Sequence, residues 1–189
     1  MIAALVVVLP VGACSSTEVS APPTTPAPVV ASETGQPTGG PTYRATGMDL
    51  CRTTKLSPLD DLAVVVIRTD PAPPSDPGSA CEFVLRNGTG QEARLQVEAV
   101  SLATVEQARS AYRGYVDVAA MTSDGAISGL GDEAVGLVKE SEYMVIARSA
   151  NLVLTVWLSA PGNPPIPKDK LAAMVKAVLA ATLAGVPRG

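Results

Sequence analysis

Residues 15–46 contain almost no side chain that could enter a hydrophobic core, and this limits what the rest of the chain can fold into. Their Thr, Ser, Gly and Ala residues are interleaved with Pro22, Pro23, Pro26, Pro28, Pro37 and Pro41. Burial in such a segment cannot offset the entropy of ordering it, so we expect a disordered tether spanning roughly 30 to 100 Å. A Pro-rich recognition ligand is the weaker interpretation, because no basic residue precedes Arg44. Residues 47–189 are then predicted to form one globular domain, long enough for a substantial core.

An apolar run opens the chain and is followed closely by a cysteine. Residues 2–9 are too few to span a bilayer, which takes roughly 20 residues, but they are typical of the apolar part of a secretory signal. The segment Val11-Gly12-Ala13-Cys14 resembles the lipobox of bacterial lipoproteins. That resemblance implies removal of residues 1–13 and lipidation of Cys14 with acyl chains such as palmitate. Such chains would hold the protein at the extracytoplasmic face of the cell membrane.

The leader departs from ordinary export signals in one respect. No Lys or Arg precedes the apolar run, so either the signal is truncated or the true translation start lies upstream of Met1, and we favour the upstream start. The alternative is that residues 1–13 form a buried strand or helix with Cys14 as a core thiol. The adjoining tether, which offers nothing to pack against, makes that alternative the weaker one.

Composition excludes several classes of function. The chain has 189 residues, a formal net charge of -4 and no histidine. An acidic chain lacks the cationic surface that a nucleic-acid partner requires. Without histidine there is no Ser-His-Asp or Cys-His nucleophile and no imidazole metal ligand, and three cysteines cannot form a four-thiolate zinc site. We therefore expect no nucleic-acid partner, no metal and no cofactor.

The predicted domain contains two cysteines, Cys51 and Cys81. In an exported protein such a pair is expected to form a disulfide. Closing a loop of about 30 residues would stabilise the fold by about 3 to 4 kcal/mol. Two separate buried thiols are the alternative.

Periodicity, turn residues and caps predict an α+β fold. A capping Ser57 with Pro58 predicts a short helix, Thr104 with Gln107 forms a capping box, and Asn87-Gly88 predicts a hairpin turn. Since strands joined by short turns pair antiparallel, we expect an antiparallel sheet of five to seven strands with two main helices packed on it. The predicted strands are 64–67, 81–86, 93–100, 134–139, 143–149 and 152–159; the helices are 57–63, 104–121 and 168–184; the loops are 70–79 and 162–167.

Four short segments carry a family resemblance: Asp49-Leu50-Cys51, Cys81-Glu82-Phe83, Gly129-Leu130-Gly131-Asp132-Glu133-Ala134 and Arg148-Ser149-Ala150-Asn151-Leu152. In their order and spacing they resemble actinobacterial lipoproteins with domain of unknown function 3558. The similarity covers about residues 48–183, and Phe83 stands where a Trp is expected. It implies a fold similar to the PsbP/Mog1-like sandwich group, with helices on both faces of the sheet. It implies no catalytic residue.

The segment Gly129–Ala134 also matches the dinucleotide fingerprint G-x-G-x-x-A. That fingerprint must follow a strand and open a helix, whereas here a helix and a polar loop precede it and a strand follows. We predict a structural turn instead. Gly129 and Gly131 would adopt backbone angles closed to other residues, and Leu130 would turn into the core. Asp132 or Glu133 would accept hydrogen bonds from free backbone N–H groups of the turn.

Other candidate residues have simpler structural explanations. The acidic pairs Asp60-Asp61, Asp132-Glu133 and Glu140/Glu142 lack the spacing of a calcium loop and are expected to be solvated charges. Acid–base work by these carboxylates is the less favoured alternative. The aromatic residues are expected to pack in the core or on the sheet, and a ligand pocket rimmed by them is the alternative; they are Tyr112, Tyr115 and Trp157.

These patterns predict a monomeric, non-enzymatic envelope lipoprotein that presents a disulfide-closed binding domain outside the membrane. Its partner would be an envelope protein or a small apolar ligand. The alternatives are a small-molecule or lipid carrier and, less favoured, a carboxylate-based hydrolase. A filled interface between sheet and helices would favour a protein-binding module, whereas an apolar cavity of several hundred cubic ångströms would favour a carrier.

Overall fold

The computed structural model describes residues 42–73, 78–162 and 165–189, all within one compact unit. Cys14, residues 1–13 and most of the predicted tether lie outside these ranges. The helices are α1 (Leu50–Thr53), a 3₁₀ helix (Ser57–Leu62), α2 (Val105–Val118) and α3 (Lys168–Gly185). The strands are β1 (Val64–Ala72), β2 (Gly78–Asn87), β3 (Glu92–Ser101), β4 (Thr122–Ala126), β5 (Glu133–Lys139), β6 (Glu142–Ser149) and β7 (Leu152–Ser159).

The strands form one seven-stranded antiparallel sheet in the order β1-β2-β3-β7-β6-β5-β4. The first three strands form a meander, and α2 then carries the chain to the opposite edge. From β4 the chain returns strand by strand until β7 pairs with β3 at the centre, with Val97 opposite Val156. The fold is therefore α+β, as the sequence predicts.

One face of the sheet, which we call the α3 face, carries the main hydrophobic core. Alternate strand residues point to this face, as period two requires, and they meet the buried stripe of α3. That stripe includes Leu171, Val175 and Leu179. The largest fully buried side chains of the strands on this face are Phe83, Leu85, Leu95, Tyr143, Leu152, Leu154 and Leu158.

The opposite face, the α2 face, has a smaller core. Ala108 is the one residue of α2 that is fully buried, and it packs with Leu137, Ile146 and Val153. Helices thus lie on both faces of the sheet. Where α2 ends, the sheet surface beyond it is left partly open.

The predicted disulfide is present. Cys51 in α1 and Cys81 in β2 are bonded, with their Cα atoms 5.2 Å apart and a sequence separation of 30. The bond ties α1 to the α3 face, where Cys81 is fully buried. Residues before α1 also belong to the folded domain, since Tyr43 and Ala45 are buried in the same core and Tyr43 pairs with Arg188. The predicted boundary at residue 47 therefore lies several residues inside the folded region.

Several predicted boundaries differ from the structure. The predicted loop 70–79 is shorter, because β1 continues through Pro71 to Ala72 and β2 begins at Gly78. Proline is tolerated there because β1 is an edge strand. The helix predicted to reach Met121 ends at Val118, and β4 was not predicted. Leu56 rather than Ser57 caps the 3₁₀ helix, and it makes no side-chain capping bond.

The β2–β3 connection is a hairpin, as predicted, but its geometry differs from a two-residue turn. The loop comprises residues 88–91, and the glycine with positive φ is Gly90 at 82°. The Asn87 carboxamide oxygen accepts bonds from the Thr89 and Gln91 backbone N–H groups at 3.0 and 2.9 Å. Asn87 therefore organises the loop through its side chain.

Candidate functional site

A groove of about 340 Å³ opens on the α2 face, between the C-terminal end of α2 and the sheet. Its walls are mainly apolar and aromatic, and its polar groups come from neighbouring strands. The lining residues are Gln96, Glu98, Tyr115, Val118, Ala119, Met144, Ile146, Thr155 and Trp157. Pockets with mainly apolar walls and a few polar groups are the usual form of small-molecule sites.

The register of the central strands places the groove residues side by side. Gln96 lies opposite Trp157, which lies opposite Met144. In the next row Glu98 lies opposite Thr155, which in turn lies opposite Ile146. The two rows form the floor of the groove.

The wall comes from the last turns of α2. Thr104 caps the start of this helix, because its hydroxyl accepts a hydrogen bond from the Gln107 N–H at 3.1 Å. This is one of the two reciprocal hydrogen bonds of the predicted capping box. The helix packs over β6 and β7, and Tyr115 and Ala119 near its end line the groove. Val118 is 79% exposed at the rim, the highest exposure among the large hydrophobic residues described.

Two carboxylates hold the aromatic side chains of the groove. The Tyr115 hydroxyl lies 3.4 Å from Glu98 Oε1, and the Trp157 Nε1–H donates to Glu142 Oε2 at 3.3 Å. The polar end of each ring is therefore oriented by a carboxylate. Of the three aromatic residues predicted to pack or to rim a pocket, Tyr115 and Trp157 line the groove. Tyr112 packs against the small core under α2, as Tyr115 also does, and does not line the groove.

The predicted turn Gly129–Glu133 forms a different site, at the far end of the same face. It connects β4 to β5, so the segment before it is a strand and not the helix and loop that the sequence suggested. Gly129 and Gly131 have positive φ values of 80° and 70°. Leu130 is half-buried and packs against the main core.

Buried Arg148 is the partner of the turn. It is 3% exposed, and its guanidinium donates to Asp132 Oδ2 at 3.0 Å and to Glu133 Oε1 at 3.2 Å. Asp132 Oδ2 also accepts the N–H of Ala150 at 2.8 Å. Asp132 was predicted to accept a hydrogen bond from a backbone N–H of its own turn. The N–H that it accepts belongs instead to the neighbouring β6–β7 turn. Because both carboxylates hold a buried cation, this cluster ties two turns together.

Gly131 has a second reason to be glycine. A Cβ at this position would collide with the carbonyl group of Arg148, while Gly129 has open space around it. The backbone N–H of Asp132 also donates to that carbonyl at 2.8 Å. The chain approaches Arg148 closely at this point, and only glycine fits.

Asn151, also part of the family resemblance, fixes the entry of the chain into the domain. Its side-chain oxygen accepts the Tyr43 N–H at 2.7 Å, and its NH₂ group donates to the carbonyl oxygens of Tyr43 and Leu102. In the sequence, Arg148 and Asn151 are recognisable only as part of a hairpin pattern. The available sign that Arg148 is buried with a partner is that this charged residue directly follows the apolar segment 143–147.

A third polar cluster secures the edge of the α3 face. The Tyr143 hydroxyl donates to Asp124 Oδ2 at 2.8 Å, and Lys168 Nζ donates to Asp124 Oδ1 at 2.8 Å. The hydrogen bonds from Lys168 and Tyr143 lower the pKa of Asp124. Burial, followed by the hydrogen bond to Asp124, raises the pKa of Tyr143. The cluster links β4, β6 and the start of α3.

The remaining acidic pairs do not converge. Asp60 and Asp61 are exposed on the 3₁₀ helix, and Glu142 holds Trp157 while Glu140 lies in the β5–β6 turn. Within the described ranges, no three His, Cys, Asp or Glu side chains form an arrangement that could hold a metal ion.

Other hollows of about 260 to 400 Å³ lie beside the 3₁₀ helix, the β2–β3 loop and α1. Two of them reach Gly78 or Gly162, next to residues outside the described ranges.

No protein-family model and no curated protein matches the chain. Among the described residues, no helix has the length and apolar character needed to cross a membrane.

Proposed function

We propose that this chain is a lipid-anchored, non-enzymatic binding protein of the extracytoplasmic membrane face that takes a small, partly apolar ligand in the groove beside α2. The groove carries the proposal, because two aromatic side chains, a thioether and the Glu98 carboxylate line about 340 Å³ of space there. The core between the sheet and α3, in contrast, is filled with large apolar side chains.

The anchor rests on the leader sequence. The segment Val11-Gly12-Ala13-Cys14, the apolar run before it and the Pro-rich residues after it support lipidation of Cys14. The Cys51–Cys81 disulfide supports an oxidising compartment, since disulfides persist mainly outside the cytosol.

We also propose kinship with the actinobacterial lipoproteins that the sequence resembles. The resembling segments join in pairs in the folded domain. Gly131 and Asp132 contact Arg148 and its turn, and Cys51 is bonded to Cys81. Such mutual contacts give a physical reason for these segments to occur together.

The anchor is tested by fractionating cells that express the full chain with its complete upstream signal. The Cys14→Ala variant should leave the membrane fraction, and the mass of the wild-type protein should include acyl chains. Ser15→Ala serves as the matched control. Unchanged membrane association of Cys14→Ala, with no lipid mass on the wild type, would contradict the anchor.

The groove is tested with the neutral dye phenylnaphthylamine, whose emission rises in apolar sites. Ala119→Phe fills the groove from the end of α2 and should abolish dye binding. Ala177→Phe, on the exposed side of α3, makes the same change away from the groove and should have no effect. Dye binding that survives Ala119→Phe would place the ligand site elsewhere.

A further inference from the structure

We infer that strand β1 is a self-association surface, on which a second copy of this chain pairs its own β1 antiparallel about a two-fold axis at Thr69. The two sheets then join into one across this edge. The inference goes beyond the proposed function and does not use the groove. It rests on the backbone of the edge strand, the apolar side chains along it and one reciprocal pair of charges.

Strand β1 has an open edge with an apolar segment. Of the strands described, it pairs with β2 alone and ends the sheet. Three consecutive side chains are exposed and apolar, Val65 at 64%, Val66 at 45% and Ile67 at 41%. The other edge strand, β4, contains no large apolar residue. Proteins usually keep such residues off an open edge, because an apolar edge recruits a strand of another molecule. This edge therefore has the character of a pairing surface.

Pro71 shows which backbone groups of β1 face outward. It lies opposite Cys81 in the register with β2, but a proline nitrogen has no hydrogen to donate to that strand. An edge strand accommodates a proline whose nitrogen faces away from the neighbouring strand. Because backbone direction alternates along a strand, the N–H and C=O of Thr69 face the same outer side. Two copies related by a two-fold axis at Thr69 would therefore exchange two hydrogen bonds there.

The same register places opposite charges next to each other. Arg68 of each copy lies opposite Asp70 of the other, at a position where side chains of paired strands come close. Within one chain, Arg68 contacts Asp70 at 2.5 Å, but the residue opposite Asp70 on β2 is the like-charged Glu82. A second copy would place a further cation on the open side of Asp70. Both charge pairs form together, as the two-fold axis requires.

The apolar residues match as well, and the extent of the contact sets its strength. In this register residues 65–67 lie opposite residues 71–73, which are Pro, Ala and Pro. A bulge between Val66 and Arg68 and the missing proline N–H groups limit the backbone ladder to its centre. A stable interface takes roughly 20 to 30 residues from each copy, so we assign a weak dimer. The proposed lipid anchor would gather copies on one membrane, where a weak contact is populated.

The first test measures molecular mass by sedimentation equilibrium, with the full chain carrying Cys14→Ala so that no detergent is needed. The mass should rise from one chain toward two between micromolar and millimolar concentrations. Arg68→Asp and Asp70→Arg each place like charges opposite each other across the edge, and each variant should stay monomeric. An equimolar mixture of the two should dimerise again, because an acidic edge then meets a basic one.

Three outcomes of this measurement would overturn the inference. They are a single-chain mass at every concentration, a mixture of the two variants that stays monomeric, and masses well above two chains, which would indicate open stacking of β1 on β4. Arg86→Asp and Glu92→Arg are the matched controls, because they break an ion pair of 2.6 Å between β2 and β3, away from the edge. Each control should dimerise like the parent protein, and an equal loss of dimer in the controls would also count against the edge.

A cysteine at the two-fold axis tests the register. Thr69→Cys should cross-link two copies when copper phenanthroline is the oxidant, because residues directly opposite in a hydrogen-bonded pair have Cα atoms about 5.5 Å apart, within reach of a disulfide. Cys51 and Cys81 are already bonded to each other. Val65→Cys is the control, since Val65 is well exposed but lies opposite residue 73 of the other copy. Cross-linking that is as fast through position 65 as through position 69, or absent at 69, would overturn the inference.

Discussion

The two faces of the sheet are built from the same strands and have opposite characters. Along β7, Leu154 and Leu158 enter the filled α3 face, while Thr155 and Trp157 floor the groove on the other side. The helices differ in the same way, since α3 has seven buried residues and α2 has one. Stability therefore resides mainly in one face, which leaves the other free to carry a ligand site.

The largest expected effect tests that division. Leu154→Ala removes a fully buried side chain from the α3 face and should lower the free energy of unfolding by about 2 to 5 kcal/mol. Met144→Ala, on the next strand but half-buried in the groove, should cost about 1 kcal/mol or less. Urea unfolding of both variants measures the difference. Equal losses would mean that the two faces contribute alike.

The second prediction concerns the covalent link on the α3 face. Replacing both Cys51 and Cys81 with Ala should lower the free energy of unfolding by about 3 to 4 kcal/mol, because the unfolded chain regains the freedom of a 30-residue loop. Cys14→Ala removes a cysteine outside the described residues and should leave stability unchanged. Thermal unfolding with and without reductant gives a parallel measurement. If reductant leaves the melting temperature of the wild type unaltered, the link adds nothing.

The α3 face was largely predictable from sequence, whereas the groove was not. Period-two alternation identified the wet side of β3, including Gln96 and Glu98, and the inward residues of α3 were identified by helical spacing. The groove depends on which residues of β3, β7 and β6 stand opposite one another. That register is set by tertiary pairing. The sequence alone therefore could not predict that Thr155 and Met144 lie in the same groove as Tyr115 and Trp157.

Strand β4 was missed for a different reason. Its segment Thr122–Ala126 is exposed throughout, has no apolar alternation and contains a glycine with φ of 105°. Such a sequence has low strand propensity, and it forms a strand because β5 offers a free edge. Asp124 then ties that strand to Tyr143 and Lys168.

The third prediction separates two costs at the β4–β5 turn. Gly129→Ala should cost about 1 kcal/mol from its positive φ alone, whereas Gly131→Ala should cost about 2 to 3 kcal/mol, because the added carbon also meets the Arg148 carbonyl. Gly131→Val should be no milder. Thermal unfolding of the two alanine variants measures the gap.

The same turn should have no part in binding. Asp132→Asn weakens its contact with Arg148 and should reduce stability modestly while ligand binding at the groove stays intact. If Gly131→Ala kept the wild-type melting temperature and Asp132→Asn lost binding, the turn would be a functional site and the division between the faces would fail.

The smallest expected effect lies at the edge of the α3 face and depends on pH. Because Lys168 and Tyr143 lower the pKa of Asp124, its charged form favours the folded state. The stabilisation is present above the unfolded pKa of about 4 and is lost as pH falls below it, through the lower folded pKa. Asp124→Asn should therefore lower the melting temperature by a few degrees near neutral pH, and its difference from wild type should shrink in acid. Tyr143→Phe should show part of this change, and Asp117→Asn on exposed α2 is the charge-matched control. If the difference in melting temperature between Asp124→Asn and wild type stayed constant into acid, the loss would come from altered packing or hydrogen bonding. The negative charge of Asp124 would then not stabilise this edge of the sheet.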